Sequence, residues 1–304
     1  MRQIVLPILI VTISFSLFGQ SVLHTHGGST ISAVISKDGT YVAVAADSRG
    51  TGNHGEKDNK TCKIIALGSS TLFLSTGSIS YHSDFHEKKV GRFDAFADAR
   101  SVFKSSPQSD ATELTHAWTK TPIKVFGAES PAVLDYIAQE GGNEDGFVSA
   151  CFITYKNIMS RPDVACVGIK YTPHTSTVFP KYDGASYSGN TTKILSMGVG
   201  KDLYDEFFHA RSARGWSAIR TCCSKVIGQT LGDKSSTDKI LVKASVQFVL
   251  DNASAKDKLK LGGPIDYGIF TSQGMTWDKR KPNCYSEDVK SYVPSPKPLP
   301  KKSK

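Results

Sequence analysis

Two short apolar runs, residues 31–36 and 41–46, flank Lys37-Asp38-Gly39-Thr40, which is the chemistry of a β-hairpin turn with Gly39 free to take positive φ. A second pair of runs, 62–67 and 71–75, is joined by Gly68-Ser69-Ser70 and closes at Gly77. The period then changes. Residues 83–104, with Phe85, Phe93, Phe96 and Val102, and 111–140, with Leu114, Trp118, Leu134 and Ile137, carry apolar positions at helical spacing, and Pro122 and Pro131 interrupt the second. Residues 147–155 and 164–170 are almost continuously apolar, as strands covered on both faces are. Residues 177–179 and Tyr187 extend that meander.

The run 193–200 leads into helical patterns at 202–210 and 217–231, with Leu203, Phe207, Ile219 and Val226 on their apolar faces. A third helix, 237–253, starts at a Thr237 cap with Asp238 beside it. Gly262-Gly263 opens a strand at 265–271, which a turn at Gln273-Gly274 pairs with 275–277. This order of hairpins, helices, strands, helices and a closing hairpin predicts an α+β protein of two stacked sheets between helical layers, a four-layered αββα sandwich.

Composition narrows the setting. The 304 residues with 39% hydrophobic content suffice for one sizeable core, and no internal repeat or long linker argues for two. Residues 1–21 hold Arg2, an apolar stretch from Ile4 to Phe18, and Gly19 and Ser21 at small-residue positions, the pattern of a signal peptide. That stretch is shorter than the ~20 residues a spanning helix needs, so the mature chain is expected to be secreted or periplasmic and free of the membrane. Residues 22–28 are then a short propeptide-like remnant, 29–280 the folded domain, and 281–304 a Pro- and Lys-rich disordered tail. The net charge of +9 is spread along the chain without a basic stripe, which argues for solubility and against nucleic acid.

Six cysteines in an exported chain permit disulfides. A Cys151–Cys166 bridge between neighbouring strands is open, Cys62 is expected to face away from the site, and Cys222 and Cys223 are read as buried thiols. His82 and His86 are four apart, but no glutamate follows His82 as a zincin requires, and His24 and His26 read as solvated, so neither a metal nor a cofactor is expected.

The chemistry gathers near the first two hairpins. Gly28 precedes Ser29, Asp47-Ser48-Arg49 ends the second run, and Lys63 opens the third. Asp47 and Lys63 lie 16 positions apart, and Lys63 and Gly77 lie 14 apart. Taken singly, each is ordinary: an Asp-Ser-Arg after a buried strand is a turn, and a lysine at a strand start is an edge charge. Their joint order and spacing resemble the N-terminal part of proteasome β-type subunits and of the related bacterial ATP-dependent peptidase, which are N-terminal nucleophile hydrolases. The resemblance covers residues 27–78, with a weaker echo at 194–200 and 258–271.

The resemblance implies cleavage at Gly28–Ser29, with Ser29 as nucleophile, its freed α-amine as base, Lys63 beside it, Asp47 holding the lysine, and the Gly77 N–H facing the oxyanion. Arg49 and Thr30 would support the cluster. A free α-amine, with an unperturbed pKa of about 8, does suit a general base near neutrality. The substrate is expected to be a peptide or small amide, with a homo-oligomer compatible with the family. Ser29 lies 18 residues before Asp47, two more than the resemblance calls for, and an even insertion at the Gly39–Tyr41 turn keeps each strand side chain on its face. Three positions depart from the family: Val199 and Leu261 stand where it places serines, and Lys258 where it places an aspartate, with Asp257 one place off. That departure keeps a second reading alive, a non-catalytic scaffold or binding subunit.

Overall fold

The computed structural model describes residues 24–26, 29–51, 57–82, 92–140, 146–156, 161–173, 175–183, 192–209, 214–215, 217–218, 221 and 234–289. The first hairpin forms as the turn chemistry predicts. β1 (His24–His26) precedes β2 (Thr30–Ile35) and β3 (Tyr41–Ala46), and the last two pair from Ile31 opposite Ala46 to Ile35 opposite Val42 without a shift. Gly39, at φ 73°, lets its N–H reach the Ser36 carbonyl at 2.9 Å. After β4 (Gly50–Thr51) and β5 (Lys57–Asp58), the second hairpin is β6 (Ile64–Leu67) and β7 (Thr71–Gly77). The four strands of these hairpins are buried along their whole length, which explains why their sequence is apolar on both faces rather than alternating.

The chain continues through β8 (Ser80–His82), β9 (Arg92–Asp94), α1 (Ala95–Ser105), α2 (Ala111–Gly127), α3 (Pro131–Glu140), β10 (Val148–Thr154), β11 (Asp163–Thr172), β12 (Thr177–Asp183), β13 (Lys193–Gly198), α4 (Lys201–Phe208), α5 (Lys234–Asn252), α6 (Ala255–Lys258), β14 (Asp266–Thr271) and β15 (Gly274–Lys279). A 3-10 turn follows at Pro282–Cys284. One five-stranded antiparallel sheet has the order β12-β11-β10-β7-β6 and a second β13-β2-β3-β14-β15. A three-stranded sheet, β1-β8-β9, and a two-stranded one, β4-β5, stand beside them.

Three apolar clusters hold these elements. Ile31, Val42 and Val44 of the second sheet pack with Leu72, Leu74 and Ile153 of the first. The alternate side chains of each sheet meet helices instead. Phe73 and Phe152 join Phe96, Trp118 and Phe126 of α1 and α2, whereas Val34, Ala43 and Ala45 join Tyr204, Val242 and Val246 of α4 and α5. The helix ends are satisfied locally: Asp94 caps α1 through the N–H groups of Phe96 and Ala97, and Asp110 with Glu113 forms a capping box on α2. The buried Trp118 indole N–H donates to the Ala95 carbonyl at 3.0 Å.

Several expectations need correction. The strands fall into four antiparallel sheets, and the molecule is a mixed α and β arrangement rather than the expected four-layered αββα sandwich. The physical reason lies in β1, β8 and β9, whose backbone groups pair with one another into a sheet that a two-sheet plan has no place for. Residues 92–94, expected to be helical, belong to that sheet, so the first helix among the described residues starts at Ala95; the rest of the expected helix, 83–91, lies outside the described residues. Pro122 lies inside α2 and does not end it, because Trp118, Val125 and Phe126 bury the same stretch and offset a cost of about 3 kcal/mol. Pro131 does start a new helix. The helix expected from Thr237 begins at Lys234, and Asp238 accepts the Tyr41 hydroxyl at 2.7 Å instead of serving a helix start.

The end of the chain is ordered further than its composition suggests. Val289 pairs with Leu67, and the Asp288 carboxylate accepts the Ala66 N–H at 2.8 Å, so residues 281–289 belong to the fold. Cys62 is bonded to Cys284, a partner the sequence alone did not name, and Cys151 is bonded to Cys166 across β10 and β11. Expectations for residues 1–21, Gly27, Gly28, Tyr187, the side chains of His24, His26, His82 and His86, most of 217–231 with Cys222 and Cys223, and 290–304 fall outside the described residues. Among the described residues no helix is long and apolar enough to cross a membrane.

Candidate functional site

Ser29 sits at the entrance to β2 and is fully buried. Its carbonyl accepts the Val199 N–H at 2.9 Å, just after β13, where Gly198 takes φ 87°. A Cβ on Gly198 would collide with the Ser29 carbonyl and come within 3.2 Å of the Thr76 methyl, so glycine there is what lets the end of β13 pass close to both Ser29 and β7. Gly77, next along β7, has φ 85° and lies opposite Val148.

Thr30 points the other way. Its hydroxyl donates to the Val199 carbonyl at 3.0 Å and meets the Tyr204 hydroxyl at 2.6 Å, among the residues that α4 and α5 cover. Strand alternation puts Ser29 on the face of Ile31 and Ala33, toward β6 and β7. The even insertion argued for the first turn is compatible with this, since Thr30 has its hydroxyl engaged on the opposite face.

Asp47 ends β3 with no exposure, where an unpaired carboxylate would be costly. One of its oxygens accepts the Thr30 N–H at 2.9 Å and the other the Gly262 N–H at 3.0 Å. The Gly262 carbonyl in turn accepts the N–H groups of Ser48 and Arg49, at 3.0 and 2.9 Å. Gly262 thus grips the Asp47–Arg49 turn from both ends of its own residue. Arg49 packs its guanidinium where a Gly262 Cβ would sit, and bonds Asn59 and the Lys258 carbonyl, each at 3.2 Å.

Lys63 is buried just before β6, and its carbonyl accepts the Ser75 N–H at 3.0 Å, which fixes it against β7. Burial pushes its ammonium down to about 8, while Asp47 and, more weakly, Asp58 hold it up and Lys281 pushes it further down. Burial likewise pushes the Asp47 carboxyl up, against the opposing pull of Lys63 and the backbone N–H groups of Thr30, Gly262 and Arg49. A lysine poised near 8 can accept a proton near neutrality, which one at its ordinary value cannot.

No known protein family and no curated protein matches this chain. The geometry therefore stands on its own residues. It brings Ser29, Thr30, Asp47 and Lys63 into one buried region with the end of β7, and it keeps Arg49 at the rim as a brace. It does not bring Asp257 in: that carboxylate pairs with Ser254 in the cap of α6. Val199 and Leu261 are buried among the apolar residues under α5. Val199 still serves the site through its backbone, donating to Ser29 and accepting from Thr30.

Four contributors were missed in the sequence: Gly262 as a donor to Asp47, Tyr204 against Thr30, and the buried pair Lys281 and Asp266. A glycine pair before a strand signals a turn but not which carboxylate its N–H will meet, and Lys281 is hidden in a lysine-rich end. Among the described residues no group of three or more His, Cys, Asp or Glu could hold a metal ion.

Proposed function

We propose that this chain is an exported hydrolase that cuts itself between Gly28 and Ser29 and then uses Ser29 to hydrolyse peptide or small amide bonds. The observation that carries the reading is Asp47: it accepts the amide immediately after Ser29 and shares its charge with a buried Lys63 lowered to about 8.

Before cleavage the Ser29 nitrogen is an amide and cannot act as a base, so Lys63 in its neutral form takes the Ser29 hydroxyl proton. The oxygen attacks the Gly28 carbonyl carbon, and the resemblance assigns the N–H of Gly77 to the oxyanion. Collapse breaks the bond to the Ser29 nitrogen, which takes up the proton from Lys63 and leaves an ester. Water then hydrolyses that ester to a Gly28 carboxylate and a free serine hydroxyl. The released α-amine is the base for later turnovers on substrate.

The segment ahead of the junction supports a peptide as substrate. β1 lies antiparallel to β8, with His24 opposite His82 and His26 opposite Ser80, so residues 24–26, shortly ahead of the junction, are held as an extended strand by the fold. One observation favours the second reading, a non-catalytic scaffold: Val199 and Leu261 offer no side-chain partner for an α-amine.

Intact mass and N-terminal sequencing of the exported protein test the proposal. It expects Ser29 as the first residue and loss of cleavage in Ser29→Ala. Folded, active protein that begins at Val22 would refute it.

A further inference from the structure

Lys281 is a buried ammonium that the proposed reaction leaves unused. It is ion-paired with Asp266, which is itself buried, and it donates to the Ser48 hydroxyl at 2.8 Å. Its backbone N–H donates to the other Asp266 oxygen at 3.0 Å. Ser48 is the residue after Asp47, and its hydroxyl also donates to the Pro264 carbonyl. The ammonium therefore sits behind the turn that carries Asp47.

The segment bearing Lys281 is bolted along the Lys63 strand. Cys284 is bonded to Cys62, the residue before Lys63. Arg280 donates to the carbonyl of Ile64, the residue after Lys63, at 3.1 Å, and lies 3.9 Å from the Trp277 ring centre. Asp288 and Val289 hold Ala66 and Leu67. Both neighbours of Lys63 are thus fastened to the segment that brings in Lys281.

From this geometry we infer that Lys281 is a positioning residue of the Ser29 site, setting the Asp47 turn through Ser48 and opposing the Lys63 ammonium with a second buried positive charge. The inference rests on the hydrolase reading for its purpose. Two cations near one carboxylate cannot both keep their protons as easily as either alone. The charged groups facing Lys63 are Asp47 and Asp58, of opposite sign, and Lys281, of like sign. Those facing Lys281 are Asp266 and Asp47, with Arg280 of like sign. Burial pushes Lys281 down as well, but its direct ion pair with Asp266 holds it up, whereas Lys63 meets Lys281 as a like charge on top of its own burial.

The test follows the Lys63 side chain by NMR in the full chain with ¹³Cε-labelled lysine, its signal assigned by loss in Lys63→Arg. All samples carry Ser29→Ala, so each keeps one covalent form. The reference is expected to titrate at about 8. Lys281→Met alone would strand the Asp266 carboxylate, so the deciding variant is Lys281→Met with Asp266→Asn, which removes both charges at similar volume and retains the fold. Its Lys63 midpoint is expected to rise by about half a unit, since the loss of Asp266 offsets part of the change, whereas Lys281→Arg leaves it in place. An unchanged midpoint in the double variant, or an equal rise in Lys281→Arg, overturns the inference. The titration needs no bond to break, so a wild-type chain that never cuts itself would refute the hydrolase reading without touching this result.

Discussion

Gly198→Ala tests the approach of β13 and β7 to Ser29 most directly. The added carbon would lie 3.0 Å from the Ser29 carbonyl carbon and closer still to its oxygen, with the Thr76 methyl at 3.2 Å on another side. Backbone on one side and a packed methyl on the other leave only the Ser29 carbonyl to withdraw, by roughly 1 Å if ordinary contact is restored. That breaks its hydrogen bond from Val199, worth about 1 kcal/mol, and the left-handed φ of 87° adds about 1–2 kcal/mol for a residue with a Cβ. The expected loss is thus about 2–3 kcal/mol of stability in urea unfolding. A 1 Å displacement of a nucleophile can cost about a hundredfold in rate, so cleavage at Gly28–Ser29, followed by intact mass over time, should slow by about that factor. Gly127→Ala is the matched control, since Gly127 has open space around its Cβ position and ordinary φ, and it should be neutral or slightly stabilising. Cleavage at the wild-type rate in Gly198→Ala, with stability within about 0.5 kcal/mol, would refute the account of how Ser29 is held.

Other measurements probe separate links. Ser29→Ala should abolish cleavage while Thr30→Val, which loses the bonds to Val199 and Tyr204, should cost about 1–3 kcal/mol of stability and only slow it; the reverse pattern by mass spectrometry would assign the nucleophile to Thr30. The cleavage rate should rise with pH to a plateau above about 8, because the neutral form of Lys63 is the active one and its folded value lies below the ordinary lysine value; a rate that falls over pH 6–8 would contradict the role of Lys63 as base. Its stability contribution has the same sign: Lys63 favours the folded state fully above its unfolded value, and this is lost as pH falls through about 8, so replacing it with Met should flatten that part of the stability–pH curve measured in urea. Replacing both cysteines of a pair with serine should cost about 3 kcal/mol for Cys151–Cys166, which closes 15 residues, and about 5 kcal/mol for Cys62–Cys284, which closes 222, as read by thermal unfolding; equal losses would argue against chain entropy as the source.

The sequence showed the two opening hairpins almost to the residue, because each combines an apolar run with a turn whose chemistry admits few alternatives. Ser29, Asp47 and Lys63 were grouped through the family resemblance that their order and spacing carry, not through any signal in the residues taken singly. The sequence did not reveal β8 and β9, whose three-residue strands exist only because β1 and each other supply partners, and three residues carry no period to detect. The helix start at Lys234 was hidden because Thr237 and Asp238 offer a cap by composition while Tyr41, far away in sequence, claims the aspartate. Cys284 was read with the Pro- and Lys-rich end, and only the approach of that end to β6 reveals its partner. The sandwich expected from element order failed for the same reason as the short strands: order along the chain does not say how many sheets the strands will join.

The grip of Gly262 on Asp47 has a consequence for timing. A ribosome has finished β2, β3, β6 and β7 long before it reaches residue 262, yet until then the carboxylate lacks one of its two N–H partners and Lys63 lacks the segment that Cys284 ties beside it. A nascent or truncated chain carries the serine, the aspartate and the lysine without the frame that aims them. Under the proposed self-cleavage, the reaction would wait until the last stretch of the domain has been made and closed, so that completion of synthesis would itself act as the safety catch on Ser29.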